Sequence, residues 1–131
     1  MYTIGVDITT VSRVKKSCEK ESFRNHVFSP GELEMFFNRE KPKFSSLAAN
    51  FAAKEAFSKS IGTGIRCFNL NEVEVLRDKQ GAPYFNFYGR AAQIVLEKGY
   101  RFQLSLSHEG DTAIAMVLAE KDESAANIKN L

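Results

Sequence analysis

The sequence predicts an α+β fold in a single domain. Segments with strand-like alternation and segments with helical spacing both occur, and they do not alternate regularly along the chain. Their order is one strand, three helices, two strands, one helix and two strands. A length of 131 residues favours one domain, which we place at residues 1–120, followed by a polar tail at 121–131.

The first half of the chain contains the opening strand and the three consecutive helices. Residues 2–8 are β-branched and mostly apolar, which predicts a buried strand. Apolar residues at helical spacing predict the first helix within 9–22. The second helix begins at 29–32, where serine, proline and glutamate form a capping-box pattern. The third has Ser45 or Ser46 as its N-cap and ends at Gly62, which would close it in the left-handed conformation.

The second half of the chain predicts two hairpins and one helix. Alternating residues at 71–78 and 83–89 are separated by a Lys-Gln-Gly-Ala turn, which is typical of a hairpin. Residues 90–99 predict a helix that ends at a glycine. Residues 101–107 and 112–120 predict the last two strands, joined by a His-Glu-Gly-Asp turn.

The composition argues against several classes of protein. Hydrophobic residues make up 44% of the chain and aromatic residues 11%, as in globular rather than disordered proteins. A net charge of +2 gives little support for nucleic-acid binding. No apolar run is long enough to span a membrane, and the N-terminus does not resemble a signal peptide. We therefore expect a cytoplasmic protein with no membrane partner, in which Cys18 and Cys67 carry reduced thiols.

Asp7 is the first candidate for chemistry, because it directly follows an apolar stretch of the opening strand. A carboxylate at the end of a buried strand is costly unless it is hydrogen-bonded, paired or bound to a metal. Two interpretations remain open at this point. Either Asp7 caps the following helix, or it is a ligand in a site.

Glu55 and Lys59 lie four residues apart on the third helix, so their side chains share a face. They form either an exposed ion pair or part of a site, and the apolar residues around them favour a site. Lys54 is less informative, because a long lysine side chain can extend out of a partly buried face.

His108 is predicted in the turn after a strand, next to Ser107, where it is either a polar turn residue or a ligand and proton carrier. Two carboxylates that converge on one point would suit Mg²⁺, with Lys59 beside substrate phosphates. A Gly-Thr-Gly segment at 62–64 could offer backbone N–H groups to a phosphate. It ends a helix rather than preceding one, however, and is not a P-loop.

Four motifs occur in order between residues 3 and 119. They are a Gly-x-Asp-Ile strand followed by an arginine, a Phe-x-x-Lys-Glu-Ala-x-x-Lys helix that runs into Gly-Thr-Gly, a Gly-x-Pro turn, and Ser-x-Ser-His before an alanine-rich strand. The residues that carry them are Gly5, Asp7, Ile8, Arg13, Phe51, Lys54, Glu55, Ala56, Lys59, Gly62, Thr63, Gly64, Gly81, Pro83, Ser105, Ser107 and His108. In this combination the chain resembles the holo-[acyl-carrier-protein] synthases, the small class of 4′-phosphopantetheinyl transferases.

The resemblance implies a function, a fold and an assembly. The function is transfer of 4′-phosphopantetheine from coenzyme A to a serine of apo acyl carrier protein, with release of adenosine 3′,5′-bisphosphate, in fatty acid biosynthesis and lipid metabolism. The fold is a small antiparallel or mixed sheet packed against a long central helix. The assembly is a homotrimer with interfacial active sites, which suits a chain without a deep second lobe to enclose coenzyme A.

The resemblance also implies roles for individual residues. Asp7 and Glu55 match the positions that bind Mg²⁺, and Lys59 matches the catalytic lysine beside the transferred phosphate. The residues implied to contact coenzyme A are Lys59, Gly62, Gly64, Pro83, Ser107 and His108. The base that takes the serine proton is either Glu55 or a metal-bound water.

Arg13 matches an arginine that meets acidic residues of the carrier protein. Because acyl carrier proteins are acidic, we expect a basic docking face centred on the first helix. The further candidates on this face are Lys15, Lys16 and Arg24. The chain departs from the family at Thr10, where a glutamate is frequent, and at Asn50, where an arginine that contacts coenzyme A is common.

Two alternatives from other classes stay open. A non-catalytic scaffold that binds coenzyme A would have the same fold, although the presence of Asp7, Glu55 and Lys59 argues against it. A nucleic-acid-binding module is suggested by the aromatic residues within 84–88 beside Arg90. No basic stripe accompanies these aromatic residues, so we expect no nucleic-acid partner.

Overall fold

The computed structural model describes residues 1–62 and 67–122. Its strands are β1 (Tyr2–Thr10), β2 (Val73–Arg77), β3 (Pro83–Phe87), β4 (Tyr100–Glu109) and β5 (Thr112–Lys121). Strands β1, β5 and β4 form an antiparallel sheet in that order, and β2 and β3 form a separate antiparallel hairpin beside β4. Helices lie between these strands without regular alternation, which confirms the predicted α+β class.

Five helices and one short 3-10 helix complete the described part of the chain. They are α1 (Val11–Ser17), α2 (Glu21–Val27), α3 (Pro30–Phe36), α4 (Phe44–Ile61), α5 (Gly89–Lys98) and the 3-10 turn Leu70–Glu72. The capping box predicted for the second helix is present, because the Ser29 side chain accepts from Glu32 N while the Glu32 carboxylate accepts from Ser29 N.

Helix α4 is the centre of the domain and packs across the three-stranded sheet. Small residues form its sheet-facing side, where Ala52 and Ala56 cluster with Ala115. A Cβ atom at Gly5 would overlap the carbonyl oxygen of Ala56, so β1 and α4 approach more closely than any other residue would permit. This close approach brings Asp7, the next residue of β1 on the same face, beside the helix.

A group of phenylalanine rings holds the hairpin against α4 and β4. The Phe57 ring lies 5.1 to 5.7 Å from four other rings, measured between centroids. These are the rings of Phe68, Phe85, Phe87 and Phe102. Ring pairs at this separation stabilise a core beyond the area that they bury, so the hairpin is fixed relative to α4.

The first helical segment differs from the prediction. The helix predicted within 9–22 is present as α1, but it ends at Ser17, and a further helix that was not predicted, α2, begins at Glu21. The guanidinium of Arg24 donates to the carbonyl oxygen of Cys18 at 2.6 Å. This bond satisfies a carbonyl group that a continuing helix would have used, and it stabilises the turn between α1 and α2.

The start of α4 is also slightly different. The helix begins at Phe44 with Lys43 as its N-cap, rather than Ser45 or Ser46. The Phe44 ring packs edge to face against Phe37, and this contact favours the earlier start.

The end of the domain is only partly described. Strand β5 continues through Lys121, so the first residue of the predicted tail lies in a strand, and residues 123–131 lie outside the described residues. The domain boundary after residue 120 therefore stays a prediction. Within residues 1–62 and 67–122, no helix combines the length and the apolar character needed to cross a membrane.

Candidate active site

A cleft opens where β1 ends and α1 begins, beside the middle of α4. It has a volume of about 360 Å³. Its walls come from β1, α1, α2 and α4 and include Asp7, Ile8, Thr9, Thr10, Arg13, Val14, Ser17, Phe23, Phe51 and Glu55. Two carboxylates and an arginine from three different elements therefore face one small space.

Asp7 is held in this cleft by two side chains. The Lys59 ammonium lies 3.2 Å from Asp7 Oδ1 and also donates to the carbonyl oxygen of Val6 at 3.1 Å. Thr9 Oγ1 donates to Asp7 Oδ2 at 3.3 Å. The N-cap of α1 is Thr10, so the interpretation of Asp7 as the helix cap is wrong. The structure instead favours the interpretation of Asp7 as part of a site.

The ion pair of the cleft joins α4 to β1 rather than two residues of one helix. The sequence allowed an exposed pair between Glu55 and Lys59, but the ammonium of Lys59 pairs with Asp7. The side chain of Lys59 is 56% exposed and that of Asp7 is 20% exposed. Solvent screens such a pair, so it contributes little to stability and leaves the ammonium free to turn towards a ligand.

The electrostatics of Glu55 reflect two carboxylates in one cleft. The pKa of Glu55 is raised above its ordinary value, first by burial and then by the nearby charge of Asp7, while Lys59 opposes the shift. Two carboxylates that repel each other beside a cleft are a common arrangement in binding and catalytic sites, because a bound cation relieves the repulsion.

The donor set suits Mg²⁺ better than a metal that is bound by protein alone. Among residues 1–62 and 67–122, no three His, Cys, Asp or Glu side chains lie close enough together to hold a metal ion. Mg²⁺ needs only one or two carboxylates, because it keeps several waters and takes oxygen atoms from substrate phosphates. Asp7 and Glu55 fit this requirement, and they are the residues that would hold the ion.

The predicted basic docking face is exposed along α1. Arg13 lines the cleft, and Lys15 and Lys16 are exposed in the last turn of α1. Arg24 differs from these three, because it is half-buried, bonded to the chain and stacked 4.5 Å from the Phe37 ring centre. Its guanidinium therefore has less freedom to meet a partner than the side chains of α1.

Ser107 and His108 lie within β4, so the prediction of His108 in a turn is wrong. His108 pairs with Ala113, and the turn is formed by Gly110 and Asp111. Gly110 takes a positive φ of 57°, which permits this tight connection and lets β4 extend through His108. Successive residues of a strand point to opposite faces, so Ser107 and His108 lie on opposite faces of the sheet.

The other residues implied to contact coenzyme A are spread over the described chain. His108 shares a sheet face with Asp7 but lies two strands away, about 10 Å across the sheet. Gly62 ends α4 in the left-handed conformation, as predicted, and Gly64 lies outside the described residues. Pro83 begins β3 and lines a separate cavity of about 350 Å³. Within residues 1–62 and 67–122, the members of this set are therefore not brought together by one chain.

Sequence reasoning underestimated Lys54, which is fully buried and hydrogen-bonded rather than extended towards solvent. The signal that could have found it is its neighbourhood, because alanines and Phe57 flank it in sequence. Its partner, Glu32, lies 22 residues earlier and was assigned only to the capping box. Contacts over such distances along the chain are set by packing and are not visible in local patterns.

Comparisons with known proteins show the family over nearly the whole chain. The family model for the 4′-phosphopantetheinyl transferase superfamily, in its ACPS form, matches residues 3–117. A holo-[acyl-carrier-protein] synthase of Carboxydothermus hydrogenoformans is 43% identical over 125 residues, covering 93% of this chain and 100% of that protein.

Two solved structures extend the similarity to the fold. The holo-[acyl-carrier-protein] synthase of Neisseria meningitidis superposes with a TM-score of 0.81 at 36% identity, over 91% of this chain and 98% of that chain. The synthase of Helicobacter pylori in complex with coenzyme A superposes with a TM-score of 0.74 at 27% identity, over 89% of this chain and 99% of that chain.

Proposed function

Because the chain belongs to the holo-[acyl-carrier-protein] synthases of the 4′-phosphopantetheinyl transferase superfamily, we propose the following reaction for it. It moves the 4′-phosphopantetheine group of coenzyme A to a serine of an apo acyl carrier protein and releases adenosine 3′,5′-bisphosphate. The observation that carries the proposal is that Asp7 and Glu55 line one cleft, with the ammonium of Lys59 3.2 Å from the Asp7 carboxylate. The coenzyme A bound to the relative from Helicobacter pylori supports coenzyme A as the donor.

The reaction is a phosphoryl transfer, in which the protein mainly positions groups and stabilises charge. The serine oxygen forms a bond to the phosphorus that bears pantetheine. The bond from that phosphorus to the bridging oxygen of the pyrophosphate breaks, and its electron pair leaves with adenosine 3′,5′-bisphosphate. Negative charge therefore grows on oxygen atoms beside the cleft.

Each residue of the cleft has a distinct task in this transfer. Mg²⁺ bound to Asp7 and Glu55 would neutralise charge on the pyrophosphate. Thr9 and Lys59 orient the Asp7 carboxylate, and the exposed ammonium of Lys59 also supplies positive charge to the phosphate. The serine proton must pass to a base, and the carboxylate of Glu55, which lines the cleft, is the candidate among these residues.

We further propose that the enzyme works as a homotrimer in the cytoplasm, within fatty acid biosynthesis. The sheet face opposite α4 supports self-association, because its large apolar side chains are between 40% and 66% exposed. These side chains are Tyr2, Ile4, Val6, Ile8, Ile114 and Met116. Ser107 lies on the same face, in the row of Ile8 and Ile114, so a neighbouring chain there would add a wall close to the cleft.

Light scattering tests the assembly. Wild type should have about three times the 14.7 kDa mass of one chain, and Ile4→Glu should shift the mass towards that of a monomer. Leu96→Glu is the matched control, because Leu96 is 82% exposed on α5, away from this face, and should leave the mass unchanged. A wild type that is monomeric and fully active would contradict the proposed trimer.

The intact mass of the carrier protein tests the proposed reaction. Apo acyl carrier protein is incubated with the enzyme, coenzyme A and Mg²⁺ and is then weighed by mass spectrometry. We expect the carrier to gain the mass of one phosphopantetheine group, and a carrier whose acceptor serine is replaced by alanine should gain nothing. An unchanged mass of the wild-type carrier would contradict the proposal.

A further inference from the structure

Lys54 is fully buried, although it is the sequence neighbour of Glu55 in the cleft. Its ammonium donates to Glu32 Oε1 at 2.7 Å and to the carbonyl oxygens of Leu70 at 3.0 Å and Val73 at 2.5 Å. An ammonium has three protons, so each has an acceptor. One side chain of α4 is thereby bonded to α3, to the 3-10 turn and to β2.

The Glu32 carboxylate is equally well satisfied. Its Oε1 accepts from Ser29 N at 3.0 Å as well as from Lys54, and its Oε2 accepts from Asn50 Nδ2 at 2.9 Å and from Val75 N at 3.3 Å. The four bonds come from α3, α4 and β2. Charged groups inside a protein form strong, directional hydrogen bonds, so this carboxylate fixes the three elements relative to one another.

Asn50 adds a second connection between α4 and the hairpin, one turn before Lys54. Its amide donates to the carbonyl oxygen of Val75 at 2.9 Å, and its Oδ1 accepts from Arg77 Nη2 at 2.8 Å. Asn50 and Lys54 lie four residues apart on the helix, so both point towards the same neighbours. Their bonds constrain the rotation of α4 about its axis and its movement along that axis.

The opposite side of α4 meets the sheet through alanines such as Ala52 and Ala56, and through Gly5 of β1. Near the end of the helix this side also accepts a hydrogen bond from the sheet, because Thr3 Oγ1 donates to the carbonyl oxygen of Ser60 at 2.6 Å. Small apolar side chains pack well at several neighbouring rotations and offsets of a helix, because they make no directional bonds. The buried polar network therefore supplies charge-assisted, directional bonds that favour one position of α4, in addition to the ring contacts of Phe57.

The position of α4 determines the geometry of the cleft. Successive residues of a helix differ by about 100° around its axis, so Lys54 can point to Glu32 while Glu55 points to the cleft. A rotation or shift of α4 would move Glu55 and Lys59 together relative to Asp7 on β1. A displacement of about 1 Å in a catalytic group can lower a rate about 100-fold.

We propose that the buried Lys54–Glu32 pair is a positioning pair for the transfer reaction, which sets the distance between Glu55 on α4 and Asp7 on β1. The inference rests on the proposed function, because it assigns these two carboxylates to one reaction site. Neither member of the pair touches the cleft, and both act through the placement of α4. The pair thus affects the transfer rate through the geometry of the cleft, and not only through the stability of the fold.

Lys54→Met tests this role, because it keeps the length of the side chain and removes its charge and its three bonds. Val27→Ala is the matched control, since it weakens the core on α2 and leaves the polar network intact. Each variant is assayed at a temperature where its own unfolding curve shows that it is folded. We expect Lys54→Met to lower kcat at least about tenfold with little change in KM for the carrier, and Val27→Ala to keep kcat within about twofold.

Binding of Mn²⁺ alone, followed by electron paramagnetic resonance, gives a readout that does not depend on turnover. Lys54→Met should bind Mn²⁺ more weakly than wild type, because its carboxylates are no longer correctly spaced, whereas Val27→Ala should bind it like wild type. If Lys54→Met does not fold, Glu32→Gln carries the same test, since it keeps the size of the side chain and most of the contacts.

Two results separate this inference from the proposed function. A folded Lys54→Met or Glu32→Gln with wild-type kcat and wild-type Mn²⁺ affinity would overturn the positioning role. If wild type itself transfers nothing, the proposed function fails, and the Mn²⁺ affinities still decide whether the pair sets the spacing of the carboxylates.

Discussion

Two lysines on α4, five residues apart, have opposite environments. Lys54 is fully buried and bonded to three acceptors, whereas the side chain of Lys59 is 56% exposed and pairs with Asp7 at 3.2 Å. Burial lowers the pKa of Lys54, and the carboxylate of Glu32 opposes that shift. The contrast shows that one residue type serves two purposes on one helix, with Lys54 holding the helix in place and Lys59 presenting a movable charge.

The carboxylates beside these lysines follow the same division. Glu32 accepts four hydrogen bonds inside the protein, so its charge is stabilised by fixed partners. Glu55 lies next to a second carboxylate, and its pKa is raised by burial and by Asp7. The buried face of α4 therefore stabilises the fold, while the cleft face keeps repulsion that a bound cation would relieve.

The largest expected effect concerns the carboxylates of the cleft. Asp7→Asn or Glu55→Gln should lower the transfer rate more than about 100-fold, because each removes a proposed Mg²⁺ ligand. Removing a residue that only hydrogen-bonds to a metal ligand already lowers metal affinity or activity about 10- to 100-fold. Circular dichroism should show an intact fold. Glu34→Gln is the control, since Glu34 is exposed on α3 away from the cleft. Normal turnover in Glu55→Gln would remove this residue from the site.

Lys59→Met should have the next largest effect on the rate. Removing the charge beside the transferred phosphate should lower kcat about 10- to 100-fold. Because the Lys59 pair is exposed, the urea midpoint should change little, in contrast to Lys54→Met. An equal loss of stability in Lys59→Met and Lys54→Met would contradict the different roles proposed for the two lysines.

Charge reversal on α1 should act on the carrier protein rather than on the chemistry. Arg13→Glu should raise KM for the acidic carrier about tenfold at low salt, with little change in the affinity for coenzyme A. The difference from wild type should shrink at 1 M salt, where the Debye length is about 3 Å. Lys98→Glu on α5 is the matched control. An unchanged KM for Arg13→Glu at low salt would place the docking face elsewhere.

The smallest effect is on the stability of the enzyme without metal. Since the pKa of Glu55 is raised in the folded state, folding binds its proton more tightly, and stability falls as pH rises from the ordinary carboxyl range through the raised value. In EDTA at pH 7, Glu55→Gln should therefore be more stable than wild type. Urea unfolding at pH 7 and at pH 4 measures the gain, which should disappear at pH 4. A loss of stability at pH 7 would contradict the electrostatics of the cleft.

The sequence predicted the cleft half of α4 better than its buried half. Asp7, Glu55 and Lys59 belong to local motifs, and a four-residue spacing places Glu55 and Lys59 on one face. The order of the strands along the chain and the two β hairpins also follow from local alternation, whereas the order β1–β5–β4 within the sheet was not predicted. The Lys54–Glu32 pair, by contrast, joins residues that are 22 positions apart in the sequence, and the Lys59–Asp7 pair joins residues that are 52 positions apart. Such pairings depend on how the elements pack, which local periodicity does not encode.

The dependence of transfer on Mg²⁺ decides whether the chemistry belongs to two carboxylates, Asp7 and Glu55, that share one cation. Wild-type enzyme is stripped with EDTA, and the rate of phosphopantetheine transfer is measured as Mg²⁺ is added back. We expect no transfer without metal. The wild-type rate should rise with added Mg²⁺ until it saturates, and Asp7→Asn and Glu55→Gln should not show this recovery. Full transfer by wild type in metal-free buffer would contradict the proposed cation site.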